Sequence, residues 1–104
     1  MTYYISGMIT GKEEAARKEF AFASQYVRWT GNETVNPFDN GLTEDDTWER
    51  HLAVDILNLL HCDAILQLPG WENSRGARLE YEIAIRIKIP VISFEEFQRI
   101  SQKH

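Results

Sequence analysis

The feature that most constrains this chain is the apolar run DAILQL, residues 63–68, set directly after a stretch of helical periodicity and shortly before another. A short run of this kind reads as a buried strand, and weaker runs of the same character recur at TYYIS (2–6), TVNPF (34–38) and VISF (91–94). The stretches between them, 12–29, about 47–61 and roughly 74–88, carry apolar residues at helical spacing, and FEEFQRI (94–100) supplies a short terminal helix. Strands that alternate with helices pair in parallel through right-handed crossovers. The order βαβαβαβα therefore predicts a three-layer α/β sandwich, flavodoxin- or Rossmann-like, around a short parallel sheet of about four strands. At 104 residues the chain is expected to form one domain, 1–104, with one site to look for.

Local signals place the ends of the elements. Ala16, Phe20, Ala23 and Val27 share one stripe of the first helix, which stops at Thr30-Gly31-Asn32. Pro37 confines the second strand to an edge or a strand end. DNGLTEDD (39–46) is a polar loop, with Asp45, Asp46 or Thr47 as the cap of a second helix whose apolar side is Leu52, Ile56, Leu59 and Leu60. In such sheets ligands bind beyond the carboxyl ends of the strands, where the strand order reverses. Three loops reach that end: SGMITG with Ser6, Gly7 and Met8; NPFDN with Asn36 and Asp39; PGWENSRG with Gly70, Trp71, Ser74, Arg75 and Gly76.

The third helix sorts its own charges. At 100° per residue, Gly76, Leu79, Ile83, Ala84 and Ile87 fall on one arc that faces the sheet, with Glu80 near its middle. Glu82 lies elsewhere, four residues from both Arg78 and Arg86, the spacing of a solvated ion-pair ladder. An acid on the sheet side must open into a cavity or find partners, because an unpaired buried charge is very costly. The helix start favours its ionised form. Glu80 is thus either a functional carboxylate at the carboxyl end of the sheet or one half of a structural salt bridge to Arg75 or Arg78.

Other residues carry two readings each. Asp55, one turn from His51, lies among Leu52, Val54, Ile56 and Leu59; it reaches the sheet end or belongs to a solvated helix face. Asn36 and Asp39 contact a ligand or form a turn. Trp71 stacks on a nucleoside or sugar or covers the core. Gly70 follows Pro69 in a turn, and Gly76 lets a helix start approach the sheet or a ligand. Asp63, at the opposite end of its strand, starts that strand.

Composition removes several classes of function. With 43% apolar and 26% charged residues and a net charge of -5, the chain is an ordinary globular protein with no general attraction for a nucleic-acid backbone. Cys62, in NLLHCDAIL, is a buried thiol and no disulfide framework exists. His51, His61 and His104 lack a ligand spacing, so no metal is expected. Neither a Walker loop nor G-x-G-x-x-G is present, and no cofactor is expected. The start MTYYISG lacks the regions of a signal peptide, and no apolar segment nears the roughly 18 residues of a membrane span, so a cytoplasmic location is expected.

YISGMITG, NPFD and DAILQLPGWENSRGARLEYEIAIRIKIPVI together resemble the small phage and bacterial domains of unassigned function related to nucleoside 2-deoxyribosyltransferases, over nearly the whole chain. The most specific part is Gly76 followed four residues later by Glu80, then Ala84 and the KIPVI strand. The resemblance implies cleavage or transfer at an N-glycosidic bond, with Glu80 as the nucleophile that forms a covalent glycosyl-enzyme. It implies Asp55, eight residues before Asp63, as the acid that contacts sugar or base. It also implies a nucleoside or nucleotide as the small-molecule partner and a homo-oligomer, for which Tyr81, Ile85, Phe22 and Trp29 are candidate contacts. Where the transferases carry an aspartate five or six residues before the nucleophile, this chain has Ser74 and Arg75. An arginine there favours a phosphate or another anionic group on the ligand. A module that binds a nucleotide derivative without turning it over is the alternative function.

Overall fold

The elements form in the predicted order in the computed structural model, which describes residues 1–102; His104 lies outside the described residues. Strand β1 (Thr2–Ser6) leads through a glycine-containing loop to helix α1 (Glu13–Trp29) and strand β2 (Glu33–Val35). A 3-10 turn (Pro37–Asp39) and a polar loop follow, then helix α2 (Trp48–Leu59) and strand β3 (Ala64–Gln67). Helix α3 (Arg75–Ile87), strand β4 (Val91–Ser93) and helix α4 (Phe94–Ser101) complete the chain. Pro37 ends the second strand earlier than TVNPF suggests, because it has no N–H to give a ladder, and the strand is an edge as expected.

All pairings are parallel and the order is β2-β1-β3-β4. This is a flavodoxin-like α/β sandwich whose strand order reverses between β1 and β3. Alternation along the strands separates two cores. Ile5, Leu66 and Leu68 face Ala16, Phe20, Ala23 and Val27 of α1 and Phe94 and Phe97 of α4. Tyr4 and Ile65 face the other way, toward Leu59, Cys62 and Ala84. Every residue of the first-helix stripe is buried. At the far end of the sheet the Asp63 carboxylate accepts the Thr2 N–H at 2.8 Å, which ties the starts of β1 and β3 together.

Two helix faces differ from the sequence expectation. On α3 the buried residues are Ala77, Glu80 and Ala84, while Leu79 and Ile87 are 38% and 48% exposed. The buried arc is rotated by roughly 60° from the one expected. Small residues let the helix axis approach the sheet, and the bulkier Leu79 and Ile87 are displaced to its flank. On α2 only Leu59 is fully buried, and Leu60, expected on the apolar side, is half exposed. Among the described residues, no helix is long and apolar enough to cross a membrane.

The turn after β1 is fixed by contact rather than by backbone angle. A Cβ placed on Gly7 would lie 3.1 Å from Leu68 Cβ and 3.2 Å from Phe20 Cζ. The backbone here passes directly over the α1-side core. Gly7→Ala is therefore expected to destabilise the protein by about 1–3 kcal/mol through overpacking, read from the midpoint of denaturant unfolding.

Candidate functional site

Period-two alternation puts Tyr4 and Ser6 on the same face of β1, at the strand's carboxyl half, and helix α3 crosses that face with Glu80 in its buried arc. Glu80 is 5% exposed. The Tyr4 hydroxyl donates to its Oε2 at 2.6 Å and the Ser6 hydroxyl donates to its Oε1 at 2.8 Å. No arginine reaches it among the described residues, so the salt bridge to Arg75 or Arg78 is not formed. Burial pushes the Glu80 carboxyl up to about 7; the two hydroxyl donors oppose that rise, and the charge of Asp55 adds to it. The expectation of a firmly ionised group is thereby corrected. Glu80 lies beyond the first turn of α3, where the helix dipole has faded. Tyr4 shares the environment: burial, then the charges of Glu80 and Asp55, raise its phenol well above the ordinary value.

Asp55 is held from the loop before α2. Asn40 Nδ2 donates to Asp55 Oδ1 at 3.1 Å and lies 3.2 Å from His51 Nδ1, while Asn40 Oδ1 accepts the Leu42 N–H at 3.0 Å. His51 Nε2 lies 2.8 Å from the Thr43 carbonyl oxygen, which can only accept. The network therefore assigns the proton to Nε2 and leaves Nδ1 to accept from Asn40. Burial raises Asp55 to about 6, with the Asn40 hydrogen bond and the neighbouring His51 acting the other way. Thr47, not Asp45 or Asp46, caps α2 by accepting the Arg50 N–H.

These groups share one open cavity of about 1270 Å³ at the carboxyl end of the sheet, beside the β1/β3 reversal. Ser6, Gly7, Met8, Asp55, Ser74, Arg75, Gly76 and Glu80, all singled out in the sequence, line it. Asn36, Asp39, Gly70 and Trp71 do not. The Asn36 side chain accepts the Phe38 N–H and builds the 3-10 turn, and Asp39 is exposed. Gly70, at φ 88°, completes a Pro69-Gly70 turn closed by Trp71 N–H to the Leu68 carbonyl. Trp71 packs on Tyr81 with ring centroids 4.9 Å apart. Ser74 caps α3 through the Ala77 N–H. A Cβ on Gly76 would meet only Leu52 Cδ1, at 3.9 Å, so close packing on the sheet does not explain that glycine.

Sequence reasoning missed Tyr4, Asn40, Trp48 and Arg17 as parts of the cavity wall. A tyrosine inside a buried strand must place its hydroxyl on a partner, and that signal could have found Tyr4. Arg75 stacks over Trp48 at 4.2 Å and Arg17 over Phe38 at 4.6 Å. Glu82, Arg78 and Arg86 are all exposed, as the helical phase predicts, but form no ion pair among the described residues. The described residues hold no cluster of three or more His, Cys, Asp or Glu side chains placed for a metal ion.

A flavodoxin-like sandwich with a buried glutamate at the strand-order reversal is thus the class that fold and site define. The chain belongs to the family of the domain of unknown function DUF4406, whose model matches residues 1–93. It is similar in structure to the 2-deoxyribosyltransferase of the psychrotolerant bacterium Bacillus psychrosaccharolyticus, with a TM-score of 0.69 at 18% identity over 89% of this chain and 71% of that one. At that identity the likeness establishes a shared fold. No curated protein matches the chain.

The raised carboxyl has a measurable signature. Folding moves Glu80 from 4.5 to about 7, so the folded state favours the protonated form. That contribution is fully present below pH 4.5 and is lost as pH rises through about 7, a swing of about 3 kcal/mol. Glu80→Gln removes the titration, and its two hydroxyl partners can turn to suit an amide. The variant should melt above the wild type at pH 8, with the gap closing by pH 5; a gap independent of pH would refute buried titration at this position.

Proposed function

We propose that the protein cleaves or transfers at the N-glycosidic bond of a nucleoside or nucleotide, with Glu80 as nucleophile and Asp55 as the acid on the leaving base. The observation that carries this reading is the buried Glu80 carboxylate, fixed by Tyr4 and Ser6 at the wall of a cavity that also contains Asp55. The two hydroxyls occupy one lone pair on each Glu80 oxygen and leave others for attack. An ionised Glu80 oxygen bonds to the anomeric carbon as the carbon–nitrogen bond breaks. The bonding pair leaves with the base, which takes the proton of Asp55. Water, or a second base, then displaces Glu80 from the sugar, with Asp55 accepting the proton of the incoming group. The fold shared with the 2-deoxyribosyltransferase of Bacillus psychrosaccharolyticus supports the same chemistry.

Asn40 sets the direction of the Asp55 carboxyl, and the Nε2–H tautomer of His51 sets the direction of Asn40. The active form needs Glu80 ionised and Asp55 protonated. With Glu80 at about 7 and Asp55 at about 6, base release should follow a bell with its maximum between these values. Chromatographic measurement of free base from deoxynucleosides and their monophosphates should show a loss on the order of 10³-fold or more in Glu80→Gln and of about 10²-fold or more in Asp55→Asn. Full-rate release by Glu80→Gln would overturn the nucleophile assignment. A stabilising nucleotide recovered unchanged from the wild type would favour the non-catalytic binding module instead.

The exposed apolar side chains Phe22, Trp29 and Ile85 support a further part of the reading, assembly of the chain into a homo-oligomer. Light scattering should then give a mass at least twice that of the 12.1 kDa chain, and a monomer at tens of micromolar would refute it.

A further inference from the structure

The acids and the arginines of the cavity wall are treated differently by the protein. Of the five acids that line it, Glu13, Asp46, Asp55 and Glu80 each accept hydrogen bonds from the chain, and among the described residues Glu44 does not. Neither lining guanidinium, of Arg17 or Arg75, forms a hydrogen bond or ion pair among the described residues. Each instead has its guanidinium carbon over an aromatic ring, Arg17 over Phe38 and Arg75 over Trp48. A ring beneath the cation restricts where the guanidinium sits without using any of its N–H donors. An arginine so held has lost much of its conformational freedom before a ligand arrives, and its planar fork matches the oxygens of a phosphate.

Position along α3 defines which part of a ligand such a fork would meet. Arg75 opens the helix and Glu80 follows five residues later, an axial rise of roughly 7.5 Å. A sugar whose anomeric carbon lies against Glu80 and whose 5′ position points toward the start of α3 would bring a 5′ substituent to Arg75. Resting on the function proposed above, we infer that the substrate is a nucleoside 5′-phosphate rather than a free nucleoside. Arg75, braced by Trp48, receives the phosphate, and Arg17, braced by Phe38, adds a second positive charge to the cavity wall.

The test compares the four common 2′-deoxynucleosides with their 5′-monophosphates, titrated calorimetrically into Glu80→Gln so that turnover does not interfere. At least one monophosphate should bind tenfold or more tightly than its nucleoside, and the preference should shrink as salt is raised. In the same background Arg75→Ala should bring the ratio below about threefold, and Arg75→Lys should leave an intermediate ratio, because lysine keeps the charge and loses the fork. Arg17→Ala should reduce the ratio less than Arg75→Ala. Equal binding of nucleoside and monophosphate, or a ratio that Arg75→Ala leaves unmoved, overturns the inference. Base release from wild-type protein, assayed in parallel, separates the two readings. Release with no monophosphate preference keeps the glycosidic function and removes the phosphate site. A monophosphate preference lost in Arg75→Ala, with no base released, keeps the phosphate site and removes the catalytic function.

Discussion

The arrangement of the whole molecule turns on one buried carboxylate met only by hydroxyl groups. A charged group removed from water must be compensated or neutralised, and Glu80 receives Tyr4 and Ser6 rather than a cation. Two neutral donors stabilise the anion less than an arginine would, so the carboxyl stays balanced between its two forms near neutral pH. To place those donors, β1 must present alternate residues to the α3 side exactly where the strand ends, and α3 must lie close to the sheet. Ala77 and Ala84 flank Glu80 in the buried arc and make that approach possible. The interaction spans 76 residues of sequence, so β1, β3 and α3 must all be in place before it exists.

The second acid is reached by a different route. Asp55 depends on a loop, not on the sheet, and its environment is assembled from Asn40 and, through it, His51. One asparagine amide spends both N–H groups and its oxygen inside this network. The two carboxyls thus have separate mechanical supports, one rigid and central, the other carried on the segment that edges the cavity.

Much of this was legible in the sequence, for physical reasons that can be named. Within DAILQL, residues 64–68 are buried on both faces and allow little but a central parallel strand. The stripe Ala16, Phe20, Ala23, Val27 reads directly because one long helix packs along its full length. Helical phase separated Glu80 from Glu82 although the arc on α3 was centred too far toward Leu79 and Ile87, since phase arguments weight bulky residues and the sheet selected small ones. The loops resisted. Asn36 and Asn40 are the same residue type in the same short loop, yet one caps a turn and the other orients an acid. Only the three-dimensional path of the backbone distinguishes them. Trp71 was similarly undetermined, and its partner proved to be Tyr81.

The narrowness of the sheet has a consequence for how the molecule behaves in company. Both outer strands, β2 and β4, are only three residues long, so each leaves few unpaired backbone groups along its open side. A fold with so short a border offers a poor template for another chain to extend by strand addition. Any contact with another chain is thereby left to helix surfaces, where side chains rather than main chain decide the partner.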